Sequence, residues 1–300
     1  MKLIKPSFEI WNQPAGLEGV YKQIERAGRV CYKSEDKITE NSAKEFVDRM
    51  IKSGHGAMLE HGTVYLKIPY GTMDDRGEFS NEPIVIKYID NPYSVVMNNS
   101  ENDYWYITSN YRVIIENEWI DDLQYLCEPT EFHAKRITVH FVCDRGVSHE
   151  FVRHRVMSFA QESTRYCNYS KDKFGNELTF IEPCWLEDYN YKDNTYNQLF
   201  IDSLRFAEAH YLDLLKKWDD KIPDKRYKTG FRNNPWTPQQ ARAVLPNSLK
   251  TELVVTGFVS DWNHFFDLRA RGTTGAPHPQ AKELAEPLMK EFIARKYINN

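Results

Sequence analysis

Strand-like and helix-like periodicities are interleaved along the whole of this chain, and that limits its fold more than any other feature. The segments TVYLKI (63–68), YWYITS (104–109), ITVHFVC (137–143) and TELVVTGFVS (251–260) have the alternating or continuously apolar character of strands. EPIVIKYI (82–89), rich in β-branched residues, is assigned to a strand on the same grounds. Helical spacing occupies 14–34, expected to end near Gly28, and 41–56, with Ser42 as N-cap and Gly54 as the stop. It recurs at 110–119, 146–156, 194–220, 237–246 (opened by Thr237 and Pro238), 261–270 and 278–297. Interspersed elements of both kinds indicate an α/β or α+β class. No internal repeat, low-complexity tract or interdomain linker is visible, and 300 residues suit one large domain or two modest ones.

Composition narrows the function. A hydrophobic share of 41% and an aromatic share of 14% are enough for a packed core. The formal net charge of −4 gives the whole molecule no attraction to nucleic acid, so any cationic surface is local. No run is long and apolar enough to span a membrane, and the N-terminus lacks a signal peptide's apolar region. The five cysteines are scattered, with no CxxC spacing, which fits reduced thiols in a cytoplasm.

The chemistry concentrates in RHRVMSFAQESTRYCNYS (153–170). Three arginines and a histidine bracket the hydroxyls of Ser158, Ser163, Thr164 and Ser170. An ordinary amphipathic helix needs none of this. Guanidinium groups beside hydroxyls and turn amides suit the oxygens of phosphates. Arg242 and Arg269 recur downstream in apolar surroundings, where a cation needs an anionic or carbonyl partner. Three other patterns carry less. HEFVRH (149–154) resembles a zinc protease motif, but its histidines are five apart and on a helix would point ~140° apart. Cys184 follows a proline, as does the nucleophile of flavin-free thymidylate synthases, yet a free cysteine more often packs as a small hydrophobe. There is no GxGxxG and no P-loop, so a dinucleotide would bind without a Rossmann turn.

Arg-His-Arg, seven residues, then Ser163 resembles the signature of the flavin-dependent thymidylate synthases. AGRVCYKS (27–34), MLEHGTVYLKI (58–68) and ARAVLPNSLKTELVVTGFVSDWNHFFDLR (241–269) are similar to further blocks of that family, in its order. Together the similar regions cover roughly 14–68, 137–183 and 237–280. The resemblance implies a thymidylate synthase-complementing fold: α+β, with a central, mostly antiparallel sheet flanked by helices, in a single domain over 1–300. It implies methylation of dUMP to dTMP, with methylenetetrahydrofolate as carbon donor and NADPH-reduced FAD as hydride donor. It also implies a cytoplasmic homotetramer with shared active sites, working on small molecules without a metal, nucleic acid or membrane partner.

Residue by residue, the resemblance assigns Arg153, His154 and Arg155 to FAD, with Arg153 also near the nucleotide. Gln161 falls close to both ligands, and Thr63, Ser260 and His264 join the FAD set. Glu150, Glu162, Ser163, Thr164, Arg165 and Arg242 belong with dUMP, the last four with its phosphate. Arg269 would lie against the uracil ring as the catalytic residue, stabilising negative charge as C5 becomes nucleophilic. His61 and Tyr166 would lie near the folate. The chain departs from the pattern in two places. Residues 69–136 read as an insertion extending the core, and ARGTTGAPHPQ (270–280) lengthens the spacing to His278, putting that residue in doubt as a flavin contact. Two rival functions remain: a flavin-free methyltransferase using Cys184, and a nucleotide- or RNA-phosphate-binding module without turnover.

Overall fold

A computed structural model describes residues 1–99, 103–186, 195–216 and 235–299. In chain order the elements begin with β1 (Lys2–Ile4), β2 (Ser7–Trp11), α1 (Gly16–Tyr32), α2 (Ser42–Lys52), α3 (Gly56–Leu59) and β3 (Thr63–Pro69). They continue with α4 (Glu82–Ile89), β4 (Val95–Asn99), β5 (Tyr104–Asn110), α5 (Tyr111–Glu116), β6 (Arg136–Asp144), α6 (Arg145–Phe151) and β7 (Ser158–Gln161). β8 (Thr179–Ile181), α7 (Thr195–Leu215), α8 (Pro238–Ala241), β9 (Lys250–Phe258), α9 (Val259–Phe266) and α10 (Pro279–Ala294) complete them. The class is α+β: β3·β5, β4·β5 and β7·β9 pair antiparallel, β1·β8 pairs parallel, and helices flank the sheets. The chain divides into two compact units. The smaller comprises Met1–Ser7, Val142–His149 and Glu162–Thr251; the larger comprises Phe8–Phe141, Glu150–Gln161 and Glu252–Asn300.

In the larger unit, β9 is a central strand of a sheet ordered β2-β6-β9-β7. All of its residues from 251 to 257 are buried: Leu253, Val254 and Val255 pack in the core, and Glu252 is paired with Lys33 and His140. Val254 and its β7 partner Ala160 pack with Trp11 and with Ala27 and Val30 of α1. An aromatic layer seats α9 and α10: Phe141 of β6 meets Phe151, Trp262 and Phe265, while Phe292 meets Trp262 and Phe266. The indole of Trp262 donates to the Ile137 carbonyl, so this buried ring keeps its hydrogen bond.

A second sheet, ordered β3-β5-β4, covers another core in the same unit. Leu66 pairs with Ile107, and their side of the sheet buries Val20 and Ile24 of α1, Phe46 and Val47 of α2, and Val85 and Tyr88 of α4. The stretch 69–136 therefore supplies two of the three strands here, together with α4 and α5. In the smaller unit, Tyr169, Leu178, Phe180, Leu204, Tyr211 and Leu249 form a separate core around β8 and α7.

Four boundaries differ from expectation. EPIVIKYI is a helix: Pro83 sits in its first turn, and Val85 and Tyr88 face inward three apart, with Tyr88 donating to Asp122. The first helix runs past Gly28 to Tyr32 and ends on Lys33 in the left-handed region, φ 47°. Gly28 is a packing residue, because an added Cβ would lie 2.5 Å from Phe46 Cζ. Gly28→Ala should accordingly lower the unfolding free energy by about 1–3 kcal/mol, measurable by urea denaturation. Ser42 begins α2 while Asn41 holds the cap position; the stop itself is as expected, with Gly54 at φ 71° just past the Ser53 cap and the His55 amide closing on the Met50 carbonyl. The helix expected over 146–156 stops at Phe151, for a reason given below. The helix expected over 194–220 is α7, with 194 and 217–220 outside the described residues.

Candidate active site

α6 ends in a tightened turn, where the Glu150 carbonyl also takes a donor from outside the helix. A continuing helix would bond the His154 amide to the Glu150 carbonyl. Instead that carbonyl accepts from the Arg153 amide at 3.3 Å, in a tighter turn, and from Arg269 Nη2 at 2.8 Å, while the His154 amide turns back to the Phe151 carbonyl at 3.2 Å. A guanidinium at a helix C-terminus satisfies an orphan carbonyl and complements the helix dipole. The tight turn that follows alternates its side chains. Arg153 and Arg155 point outward, exposed, with no ion-pair partner among the described residues, and His154 between them is buried.

Arg269 reaches this turn from a single π-helical turn, Asp267–Arg271, that extends α9. Such turns displace one side chain relative to an α-helix and recur at functional sites. The guanidinium is held on three sides. Nη1 pairs with Glu150 Oε2 at 2.7 Å, Nη2 donates to the Glu150 carbonyl, and Nε donates to His154 Nε2 at 3.3 Å. An imidazole that accepts at Nε2 is neutral and carries its proton on Nδ1. The ring is also enclosed by Phe265 and by His264, with centroids at 5.0 and 5.7 Å. His264 and Ser260 share an exposed face of α9.

Burial, the Arg269 guanidinium and His264 hold His154 below its usual range, at about 4. Burial and Arg136 likewise push His61 down to about 3. Unfolded, both rings take up a proton near pH ~6.5, so from there down to about 4 the unfolded state binds more protons. Stability should therefore fall as pH drops through that window. Urea midpoints compared near pH ~7.5 and pH ~5 should show the loss, and His154→Gln should reduce it.

In the smaller unit, a turn after β7 gathers a second cluster. The Ser163 carbonyl accepts from the amides of Tyr166 and Cys167, and its hydroxyl accepts from the Arg165 amide at 3.3 Å. Arg242, from the 3₁₀ turn Arg242–Val244 after α8, donates to Thr164 Oγ1 at 3.3 Å. Arg165 and Arg242 are exposed, and Arg165 lies 5.5 Å from the Tyr166 ring. Two hydroxyls and two guanidinium groups, without a carboxylate bonded to either cation among the described residues, make an arrangement suited to a phosphate.

The profile of the family described as "Thymidylate synthase complementing protein" matches residues 86–295. The chain belongs to that family. The match begins inside the 69–136 stretch and includes every residue of both clusters. The chain is 35% identical over 126 residues to a flavin-dependent thymidylate synthase of Mycolicibacterium gilvum, covering 42% of this chain and 46% of that protein. It is 34% identical over the same length, with the same coverage, to the enzyme of that name from Mycobacterium tuberculosis. The aligned region thus spans about half the length of these relatives. A UMP/dUMP methylase, PolB, from Streptomyces cacaoi, crystallised with 5-Br dUMP, aligns over 98% of this chain and 93% of its own, at 17% identity and a TM-score of 0.42.

Several residues expected at a family site lie elsewhere. His61 is fully buried, its Nδ1 bonded to Thr256 Oγ1 at 2.8 Å, so its ring has no surface to offer a folate. Thr63 is also buried; its hydroxyl accepts from Arg136, and it lines a cavity of about 180 Å³ with Gln13, Tyr65 and Arg136, not with the Arg-His-Arg turn. Glu162 is 2% exposed and spends both oxygens internally, accepting from Tyr169 at 2.8 Å and pairing with Lys250 at 2.9 Å. Those bonds anchor the turn that carries Ser163 and Thr164 from behind. Lys250 and Tyr169 were missed because nothing in their spacing links them to Glu162. Gln161, half-buried, ends β7 opposite Leu253. His154 is enclosed, so the outward groups of its motif are Arg153 and Arg155. His278 is an exposed residue at the cap of α10, after a turn with Gly272 at φ 72°. Cys184 opens a 3₁₀ turn, half-buried. His149 is exposed while His154 is buried, and among the described residues no group of His, Cys, Asp and Glu could hold a metal. No described helix is long and apolar enough to cross a membrane.

Proposed function

We propose that the protein methylates dUMP to dTMP, with methylenetetrahydrofolate as carbon donor and FAD, reduced by NADPH, as hydride donor. The observation that carries this reading is the division of labour within one motif: His154 turns inward onto Arg269, while Arg153 and Arg155 present outward guanidinium groups that have no ion-pair partner among the described residues. Two such cations on one turn suit a pyrophosphate, the polyanionic part of FAD. FAD would supply the hydride that completes the methyl group. Arg153 and Arg155 would hold the cofactor, and His264 and Ser260 would line its approach from α9. Ser163, Thr164, Arg165 and Arg242 would hold the dUMP phosphate. Arg269 would stabilise negative charge on the pyrimidine oxygens. No cysteine need attack the base, which leaves Cys184 structural. Tyr166, exposed beside Arg165, is available as a wall for the folate. Homotetrameric assembly and a cytoplasmic setting complete the proposal.

Flavin chemistry separates this reading from its rivals. The protein mixed with FAD should retain a flavin absorbance band through gel filtration, bleach on NADPH, and form dTMP only when methylenetetrahydrofolate is added. A protein that retains no flavin but makes dTMP would point to Cys184. One that binds nucleotides with strong salt dependence and makes nothing would be a phosphate-binding module.

A further inference from the structure

We propose that the cavity between the start of α1 and Arg136 is a further ligand site, and that its ligand is a small monocarboxylate with an apolar body. The cavity lies wholly within the larger unit, and no residue of the Arg-His-Arg, Ser163 or Arg269 turns lines it. It holds about 180 Å³, less than a drug-sized pocket, so its ligand is small. Ile10, Trp11, Val20, Leu126 and Ile137 give it apolar walls, among which Arg136 is placed with the hydroxyl of Thr63. An apolar lining with a few fixed polar groups is the usual makeup of a small-molecule site.

Arg136 sets the sign of the ligand. Its Nη1 donates to the Glu60 carbonyl at 3.1 Å and to Thr63 Oγ1 at 3.3 Å, while Nε and Nη2 have no acceptor among the described residues. The two acids close enough to act on it are committed elsewhere: the Glu60 carboxylate pairs with Arg112 at 2.6 Å, and that of Asp261 accepts from the Phe258 amide at 3.0 Å. Burial accordingly lowers the Arg136 pKa to about 10. A cation drawn out of water without a bonded anion is costly, and a carboxylate meeting Nε and Nη2 side by side would offset that cost. The charge of the lining limits the ligand to a monoanion. Arg136 is the one Lys or Arg among the described lining residues, and Glu128, also in the lining, already caps the Gly16 amide of α1 at 3.2 Å. A phosphate dianion would meet one cation and one carboxylate; a monocarboxylate neutralises Arg136 and leaves Glu128 in place. Leu126, Cys127, Glu128 and Pro129 come from the 69–136 stretch, so a ligand here would also tie that stretch to the start of α1.

Butyrate and benzoate are the probes, with benzamide as the neutral counterpart of benzoate and inorganic phosphate as the competing anion. Calorimetric titration of the full chain should give a dissociation constant of about 0.1–1 mM for the better carboxylate, the range open to so small a ligand. Benzamide should bind at least about 10-fold more weakly than benzoate, because it cannot neutralise the guanidinium. Arg136→Met should abolish carboxylate binding. Arg136→Lys, which keeps the charge and loses the planar fork, should weaken it about 5- to 10-fold and decides the matter if the methionine variant does not fold. Arg153→Ala and Arg165→Ala should leave it unchanged, which separates this cavity from the outward arginines. Saturating carboxylate should also raise the urea midpoint of wild type and not that of Arg136→Met. Binding that survives intact in folded Arg136→Met or in Arg136→Lys, or benzamide that binds as well as benzoate, would overturn the site. Arg136-dependent binding of phosphate tighter than that of either carboxylate would overturn the class of ligand. No binding of butyrate or benzoate up to about 10 mM would leave the cavity as solvent-filled space and end the proposal.

Discussion

Arg269→Lys should lower kcat for dTMP formation by about 10²- to 10³-fold while leaving dUMP binding within about 3-fold of wild type. The charge survives this substitution, so the loss would report geometry. Arginine's planar fork is what meets a carboxylate, a carbonyl and an imidazole at once. A lysine ammonium can reach one or two of these acceptors but cannot hold donors in a fixed plane against the pyrimidine. Its removal from the Glu150 carbonyl also frees the end of α6, so Arg269→Ala should additionally weaken flavin retention, through the Arg-His-Arg turn. Unchanged kcat in the lysine variant would show that Arg269 is a structural cap only.

Arg165→Ala should weaken dUMP binding about 10- to 100-fold, the worth of a charge-assisted hydrogen bond to phosphate, with FAD binding within about 3-fold. Arg165 is exposed and bonded to no carboxylate among the described residues, so its loss leaves no buried charge stranded. Arg153→Ala should show the opposite pattern, with flavin affinity falling more than nucleotide affinity. Calorimetric titration of each variant with dUMP and with FAD reads both effects. Equal loss of both ligands in Arg165→Ala, from folded protein, would contradict the assignment of separate anion sites.

Periodicity alone revealed β3, β5, β6 and β9, because their alternation or continuous apolarity reports burial directly. It failed for 82–89, where a β-branched run masked a proline-initiated helix, and at Gly28, where a small residue serves packing against Phe46. Composition alone singled out 153–170, since outward arginines and turn hydroxyls are local features. Inward pairings were hidden. Nothing local joins Glu150 to Arg269 or Glu162 to Lys250, and the π-turn that aims Arg269 leaves no periodic trace. The resemblance named His61 and Glu162 as ligand contacts, but it could not weigh their burial.

The central claim is that this chain activates C5 of dUMP with the help of a reduced flavin. Tritium release from dUMP labelled at C5 tests it most directly, with FAD and methylenetetrahydrofolate present and NADPH either supplied or withheld. Release and dTMP formation that require NADPH are the predicted result. Turnover indifferent to NADPH and FAD, or no release from folded protein under any condition, would contradict it.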